Sequence, residues 1–271
     1  MRELTLVLPH FCNLGMLAEQ QRVWMAYPEH VRRSLHVVVV DDASPKGNRP
    51  SAKAVFATGL GSLRIYRLLE KKRWNWLACR NLGAKVATTS WLLLTDIDHV
   101  VPPETMTRLV TDPDLQPSDA YRFKRVTAST CWPYRADAQP PYKRHNDSWL
   151  ITRELFFSPF EWRPDGGYLR GIDGYDERLS GCYGTSGEFT YRVESTARAI
   201  GYLDQVLVRY PRELIADAST PPEVYTRKND PANDKAHEKR KREREKVARW
   251  RPLHGLIPHE LVYEAMAEVL A

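Results

Sequence analysis

Cysteine is scarce in this 271-residue chain, and its four copies, Cys12, Cys79, Cys131 and Cys182, stand far apart. No paired spacing supports a zinc site, and no disulfide framework is expected. A reducing, cytoplasmic setting is predicted from that usage. Long apolar runs are missing too: none approaches the roughly 20 residues that cross a bilayer. The short apolar stretch Leu4–Leu8 has no small-residue cleavage site behind it, so neither a membrane helix nor a signal peptide is predicted. Also absent are the dinucleotide glycine fingerprint, the phosphate loop ending in Gly-Lys-Ser/Thr and the metalloprotease helix motif. Nicotinamide enzymes, common nucleotide hydrolases and zincins therefore drop in rank. Asn146-Asp147-Ser148 has the form of a glycosylation sequon, and without a secretion signal it is read as chance.

Apolar material is plentiful. The chain is 42% hydrophobic and holds 8 Trp, 13 Tyr and 7 Phe, enough for one large domain or two closely packed ones. Its formal net charge of +6 is unevenly placed. Residues 235–251 carry nine Lys/Arg against three Glu, and residues 120–145 carry six Lys/Arg against Asp137 alone. Two basic patches on an otherwise acidic chain point to an anionic partner, and a solvated, salt-bridged helix is the plain alternative for 235–251. In 120–145, Tyr121, Phe123, Trp132, Tyr134 and Tyr142 alternate with the cations. Such a mixture can stack bases or sugars, or bury its rings in a core.

Strands are predicted at Leu4–Leu8, at the β-branched run His36–Val40, at Leu63–Leu69 and at Trp91–Thr95, with helices near 14–27, 75–87 and 102–110 between and after them. Strands at 120–126, 148–151 and 202–210 and a helix near 188–200 follow. Residues 217–234 read as a polar linker into a basic helical tail. The alternation indicates an α/β fold, a mostly parallel Rossmann-like sheet flanked by helices, in which ligands bind at the carboxyl ends of the strands. Residues 1–112 form the regularly alternating half, 113–216 a looser second half of the same domain and 217–271 the linker and tail.

Two acidic pairs fall at strand ends. Asp96 and Asp98, two apart, are expected to project to one side, where a hard divalent ion, Mg²⁺ or Mn²⁺, relieves their repulsion and takes up phosphate oxygens. Asp41-Asp42 can accept hydrogen bonds from a base N–H or a ribose hydroxyl, or can simply form a turn. No third metal ligand is singled out among His99, His145, His237, His254 and His259.

Pro9 and Asn13, Val39-Val40-Asp41-Asp42-Ala43-Ser44, Cys79-Arg80-Asn81-Leu82-Gly83-Ala84 and Thr95-Asp96-Ile97-Asp98 occur in this order, and Gly171–Glu177 follows. Together they resemble glycosyltransferase family 2 and its relatives of GT-A fold over roughly residues 3–200. The resemblance implies a nucleoside diphosphate-sugar donor, expected to be a UDP-sugar. It places Pro9, Asn13 and Asp41 or Asp42 at the base and ribose, and Arg80 and Asn81 near the nucleotide. Asp96 would touch ribose or sugar as well as metal, Asp98 would bind the metal, and Asp176 would lie near the acceptor.

One segment departs from the family. Where it often has Gly-Glu-Asp-x-Glu-Phe-x-x-Arg, with the acidic pair supplying the base, this chain has Gly184-Thr185-Ser186-Gly187-Glu188-Phe189-Thr190-Tyr191-Arg192. A serine hydroxyl is no general base at neutral pH. Asp173, Asp176 or Glu188 then becomes the expected base, with Glu188 equally readable as the helical partner of Arg192. The resulting expectation is a metal-dependent glycosyltransferase. Its acceptor is read from the basic patches as a hydroxylated base in DNA, with a cell-surface or lipid-linked glycan as the alternative. A non-catalytic nucleotide-sugar-binding protein and a nucleotidyltransferase are the rivals.

Overall fold

The computed structural model describes residues 1–136, 144–165, 168–181, 185–218 and 258–266. In chain order the elements are β1 (Leu4–His10), α1 (Leu14–Met25), α2 (Glu29–Arg33), β2 (Leu35–Asp41), β3 (Ser62–Leu68), α3 (Trp76–Val86), β4 (Trp91–Leu94), β5 (His99–Val100) and α4 (Pro103–Thr111). There follow β6 (Ala120–Thr130), β7 (Arg135–Ala136), β8 (Trp149–Thr152), α5 (Arg153–Phe156), β9 (Glu161–Trp162), β10 (Tyr168–Arg170), α6 (Ser186–Thr196), β11 (Ile200–Arg209) and β12 (His259–Met266).

One sheet runs β12-β3-β2-β1-β4-β8-β6-β11-β5, with β7 beside β6. Strands β3, β2, β1 and β4 are mutually parallel, as are β6 and β11; β8, β5 and β12 run against their neighbours. The apolar runs of β1 and β2 suit burial on both faces. Leu4, Leu6, Leu8, Val37 and Val39 join Met16, Leu17, Trp24, Met106 and Leu109 of α1 and α4 in one core. Val7, Leu92 and Leu94 meet Leu77, Phe156, Phe189 and Val193 of α3, α5 and α6 on the other side. Gly83 is required in α3 by close approach, because a Cβ there would fall inside Val7 Cγ1.

Two expectations change. Tyr121 and Phe123 alternate inward from β6 and are buried in the main core, so they are unavailable for base stacking. The C-terminal region is not helical throughout: His259–Met266 is an edge strand antiparallel to β3, fastened by Arg67–Glu260 and Arg64–Glu264 ion pairs. The basic stretch 235–251, with His237, and also His254 lie outside the described residues.

Register fixes where the site forms. His10 is level with Asp41 across β1 and β2, and Val7 with Leu94 across β1 and β4. The chain therefore leaves β1, β2 and β4 together, and the residues just beyond, Phe11, Asp42 and Asp96, collect at one end of the sheet.

Candidate active site

A crevice of about 540 Å³ opens there, lined by Pro9, Phe11, Asn13, Asp42, Trp74 and Trp76 at one end and by Asp96, Asp98, His99, His145, Asp147 and Ser186 at the other. Arg125, Arg144 and Arg209 close its far wall. Asp42 and Asp98 thus share one cavity. A larger cavity, about 900 Å³, includes Lys85, Ser90, Trp91 and Arg153, at the opposite end of β4, away from the acidic clusters. Cys12, Ala43 and Trp74 adopt left-handed backbone conformations (φ 54°, 50° and 47°), which side-chain-bearing residues adopt at a cost of about 1–3 kcal/mol each. All three belong to the loops that shape the first end of the crevice.

The two neighbouring aspartates after β2 have different surroundings. Asp41 is sealed behind the crevice, where His10 Nδ1 (2.9 Å), Ser44 Oγ (2.5 Å) and Arg67 Nε (3.3 Å) surround its carboxylate. Burial raises its pKa, but the His10, Ser44 and Arg67 contacts outweigh that and hold it below the ordinary range. Asp42 faces the crevice. Its Oδ2 accepts the Asn75 backbone N–H at 2.6 Å, while the buried Oδ1 accepts nothing from the described residues. Burial pushes the Asp42 carboxyl up to about 7 against the Asn75 bond, with Asp41 adding to the rise. Asn13 Oδ1, across the same end, is also buried without a donor among the described residues. Unsatisfied acceptors of this kind are costly unless a ligand supplies the N–H or O–H.

At the other end, residues 96–99 form a turn closed by His99 N–H donating to Asp96 O (3.0 Å), so strand alternation does not apply. Asp96 and Asp98 therefore have separate partners. Asp96 lies between Arg80 Nη2 (2.6 Å) and His145 Nε2 (3.3 Å). Burial works to raise its pKa, yet Arg80 and then His145 hold it well below the carboxylate range. Asp98 takes His99 Nδ1 on Oδ1 (2.6 Å) and Arg209 Nε on Oδ2 (3.3 Å). The His99 and His145 rings stack with centroids 4.1 Å apart, and Ser148 Oγ lies 2.7 Å from His145 Nδ1. Burial and the neighbouring His99 keep the His145 imidazole below its usual pKa.

One ligand atom each from Asp96, His99 and His145 falls within 4.8 Å of the others. With Nδ1–H given to Asp98, His99 Nε2 presents a lone pair, and that atom is buried without a hydrogen-bond partner among the described residues. A carboxylate and two imidazoles, each ring oriented through its other nitrogen, fit a divalent transition ion.

A sequence profile described as Glycosyl transferase family 2 matches residues 29–164, just over half of the chain. The chain belongs to glycosyl transferase family 2.

Among curated protein sequences none matches this family member. Among solved structures it resembles S. aureus TarS 1-349 (TM-score 0.53, 18% identity, covering 78% of this chain and 61% of that one). The same fragment in complex with UDP-GlcNAc gives a TM-score of 0.50 at 20% identity, covering 82% of this chain and 63% of that one. GalNAc-T7 with UDP, GalNAc and Mn²⁺ gives 0.55 at 14% identity, covering 83% and 47%. At these identities the likeness is one of fold, the GT-A arrangement. The chain spans less than two thirds of the length of these TarS 1-349 structures.

Several residues expected at the site of this family 2 protein lie elsewhere. Asp41 is behind the crevice, and Arg80 lies beneath its floor, fully buried, with its guanidinium 4.6 Å from the Trp76 ring. Asn81 points away: it holds Tyr175 N and O (both 2.8 Å) and Glu177 Oε1 (2.9 Å), tying down the following loop. Asp98 stands outside the Asp96–His99–His145 group and orients His99 instead of joining it. None of the three expected bases is among the crevice-lining residues. Asp173 sits on a left-handed turn (φ 53°). Asp176 caps the turn after it and pairs with Arg178 (2.8 Å), and Glu188 makes a two-bond pair with Arg192 (2.7 and 2.8 Å). Two crevice residues have no distinguishing pattern in the chain: Asp147 lies inside a chance sequon, and His145 is one of five candidate histidines. Both reach the crevice because β8 pairs antiparallel with β4, a non-local event that local pattern does not encode.

Proposed function

We propose that the chain is a metal-dependent glycosyltransferase that moves a sugar from a nucleoside diphosphate-sugar, a UDP-sugar by our reading, to an acceptor hydroxyl. The observation that carries this reading is the pairing, in one crevice, of buried acceptors that have no donor among the described residues with a cluster of ligand atoms. Asp42 and Asn13 offer acceptors to a base and ribose at one end, and Asp96, His99 and His145 gather ligand atoms at the other. Pro9 and Trp76 supply flat apolar walls beside the base. In this assignment Asp96, His99 and His145 hold Mn²⁺ or Mg²⁺, with Asp98 behind His99. When bound, such an ion offsets negative charge gathering on the departing diphosphate. Arg80 keeps Asp96 ionised and fixed in place.

Residues 1–112 are assigned to the donor and 113–216 to shaping the acceptor side. The acceptor we read as polyanionic, a hydroxylated base in DNA, supported by Arg125 and Arg144 on the crevice wall and by the overall charge. Arg144 lies 3.6 Å above the half-exposed Tyr202 ring, which keeps its charge at the surface.

Release of UDP from UDP-glucose, UDP-galactose or UDP-GlcNAc in the presence of Mn²⁺ is the direct test. Release that depends on metal and is lost in Asp96→Asn supports the reading; release of the sugar 1-phosphate instead of UDP refutes it in favour of nucleotidyl transfer. For the acceptor, DNA affinity should fall steeply between 50 and 200 mM salt, because phosphate contacts release counterions. A flat salt profile rejects the DNA assignment and leaves the glycan alternative.

A further inference from the structure

Among the described residues four carboxylates line the crevice: Asp42, Asp96, Asp98 and Asp147. Asp42 lies at the base end, bonded to Asn75. Asp96 has one oxygen on Arg80 and the other on His145, and Asp98 has one on His99 and the other on Arg209. Asp147, near the ligand cluster, is held less tightly than Asp96 and Asp98. Among the described residues its buried Oδ1 accepts no hydrogen bond and stands 4.0 Å from Arg80 Nη1, Ser186 is hydrogen-bonded to the carboxylate, and the side chain keeps 23% of its surface exposed. Ser186, the first residue of α6, lies beside it and also lines the crevice.

That location matters because Ser186 occupies the second position of the missing acidic pair. The helix start that ordinarily brings a carboxylate to the reaction brings a hydroxyl here, and the neighbouring segment 144–148 brings the carboxylate. Asp176 and Glu188 are committed to Arg178 and Arg192, as described above. Arg80 links the two functions, with one guanidinium nitrogen on Asp96 and the other near Asp147, which sets their spacing.

We propose that Asp147 is the catalytic base of this enzyme, a carboxylate moved from the start of α6 to the segment before β8. The inference rests on the glycosyltransferase reading. In the step, the acceptor oxygen forms a bond to C1 of the donor sugar as the bond from C1 to the diphosphate oxygen breaks. That bond's electron pair leaves with the nucleoside diphosphate, and the acceptor's hydroxyl proton passes to the Asp147 carboxylate. Attack opposite the departing diphosphate inverts the anomeric centre.

The experiment uses the full chain with Mn²⁺ and whichever of UDP-glucose, UDP-galactose or UDP-GlcNAc it cleaves, with water as acceptor. UDP release and calorimetric donor affinity are read in parallel. Asp147→Asn should bind donor within about twofold of the unaltered protein yet release UDP at least 100-fold more slowly, the range of a lost general base. Asp147→Asn/Ser186→Asp, which returns a carboxylate to the helix start, should recover at least tenfold. Asp147→Asn within threefold of the unaltered rate overturns the inference and leaves the glycosyltransferase reading standing. Loss of donor affinity in step with rate, or a double variant no faster than Asp147→Asn, overturns it as well. An unaltered protein that releases no UDP from any of the three donors overturns both.

Discussion

Asp98→Asn separates a metal ligand from a residue that orients one. In the structure Asp98 Oδ1 lies 2.6 Å from His99 Nδ1, which leaves His99 Nε2, buried and with no hydrogen-bond partner among the described residues, as the nitrogen for a metal shared with Asp96 and His145. An asparagine at 98 retains an oxygen for the His99 N–H but loses the charge that makes the imidazole a stronger donor and holds Arg209. Losing a partner of this kind typically costs 10–100-fold in metal affinity, about 1.4–2.8 kcal/mol. Loss of a direct ligand removes more. Mn²⁺ titrations, followed by calorimetry or by the free-ion magnetic resonance signal, should rank the unaltered protein first. Asp98→Asn should follow 10–100-fold weaker, with Asp96→Asn and His99→Ala weakest. If Asp98→Asn loses metal as completely as Asp96→Asn while His99→Ala retains it, Asp98 is the ligand and the turn geometry has been misread.

The other expectations concern stability. Asp42 titrates near 7 when folded against an ordinary 3.8, so the native state binds its proton more tightly than the unfolded chain. Stability from this group should therefore fall as pH rises from about 4 to about 7 and level off above, at a cost on the order of a few kcal/mol. Urea denaturation of Asp42→Asn should show that slope removed and the protein strengthened at pH 8, with UDP binding weakened; an unchanged slope contradicts the burial argument. Gly83→Ala should destabilise by about 1–3 kcal/mol through overpacking against Val7, read as a lower thermal midpoint, and an unchanged midpoint would show that α3 can move away from β1.

Much of the parallel half was legible because its strands are buried on both faces. A run such as Val37–Val40 then has few other uses, and the acidic residues that follow it mark the carboxyl ends. What sequence could not resolve was the direction of each acid. Asp41 and Asp42 look equivalent in the chain, and only His10 and Arg67 from flanking strands claim one and leave the other to the crevice. Asp96 and Asp98 were read with strand geometry, which the turn at 96–99 replaces. The edge strand His259–Met266 was hidden by its Glu and Ala content, which favours helix, and is specified by arginines nearly two hundred residues away in β3. Glu188 followed the plain helical reading, a partner for Arg192 four residues on. Asp147 carries no local signal, since its importance depends on what β4 and α6 place beside it.

The central claim is that one crevice takes a nucleoside diphosphate at Asp42 and a divalent ion at Asp96, His99 and His145. Calorimetric and thermal-shift titration of UDP, with and without Mn²⁺, addresses it most directly. At 100 times the dissociation constant, ligand adds about 2.7 kcal/mol to stability, or roughly 5–10 °C for a chain of this size. We expect that rise with UDP and Mn²⁺ together, a much smaller one with UDP alone, and none with either addition in an Asp42→Ala/Asp96→Asn double variant. A midpoint that ignores UDP with metal present, or that rises equally in the double variant, would contradict the account.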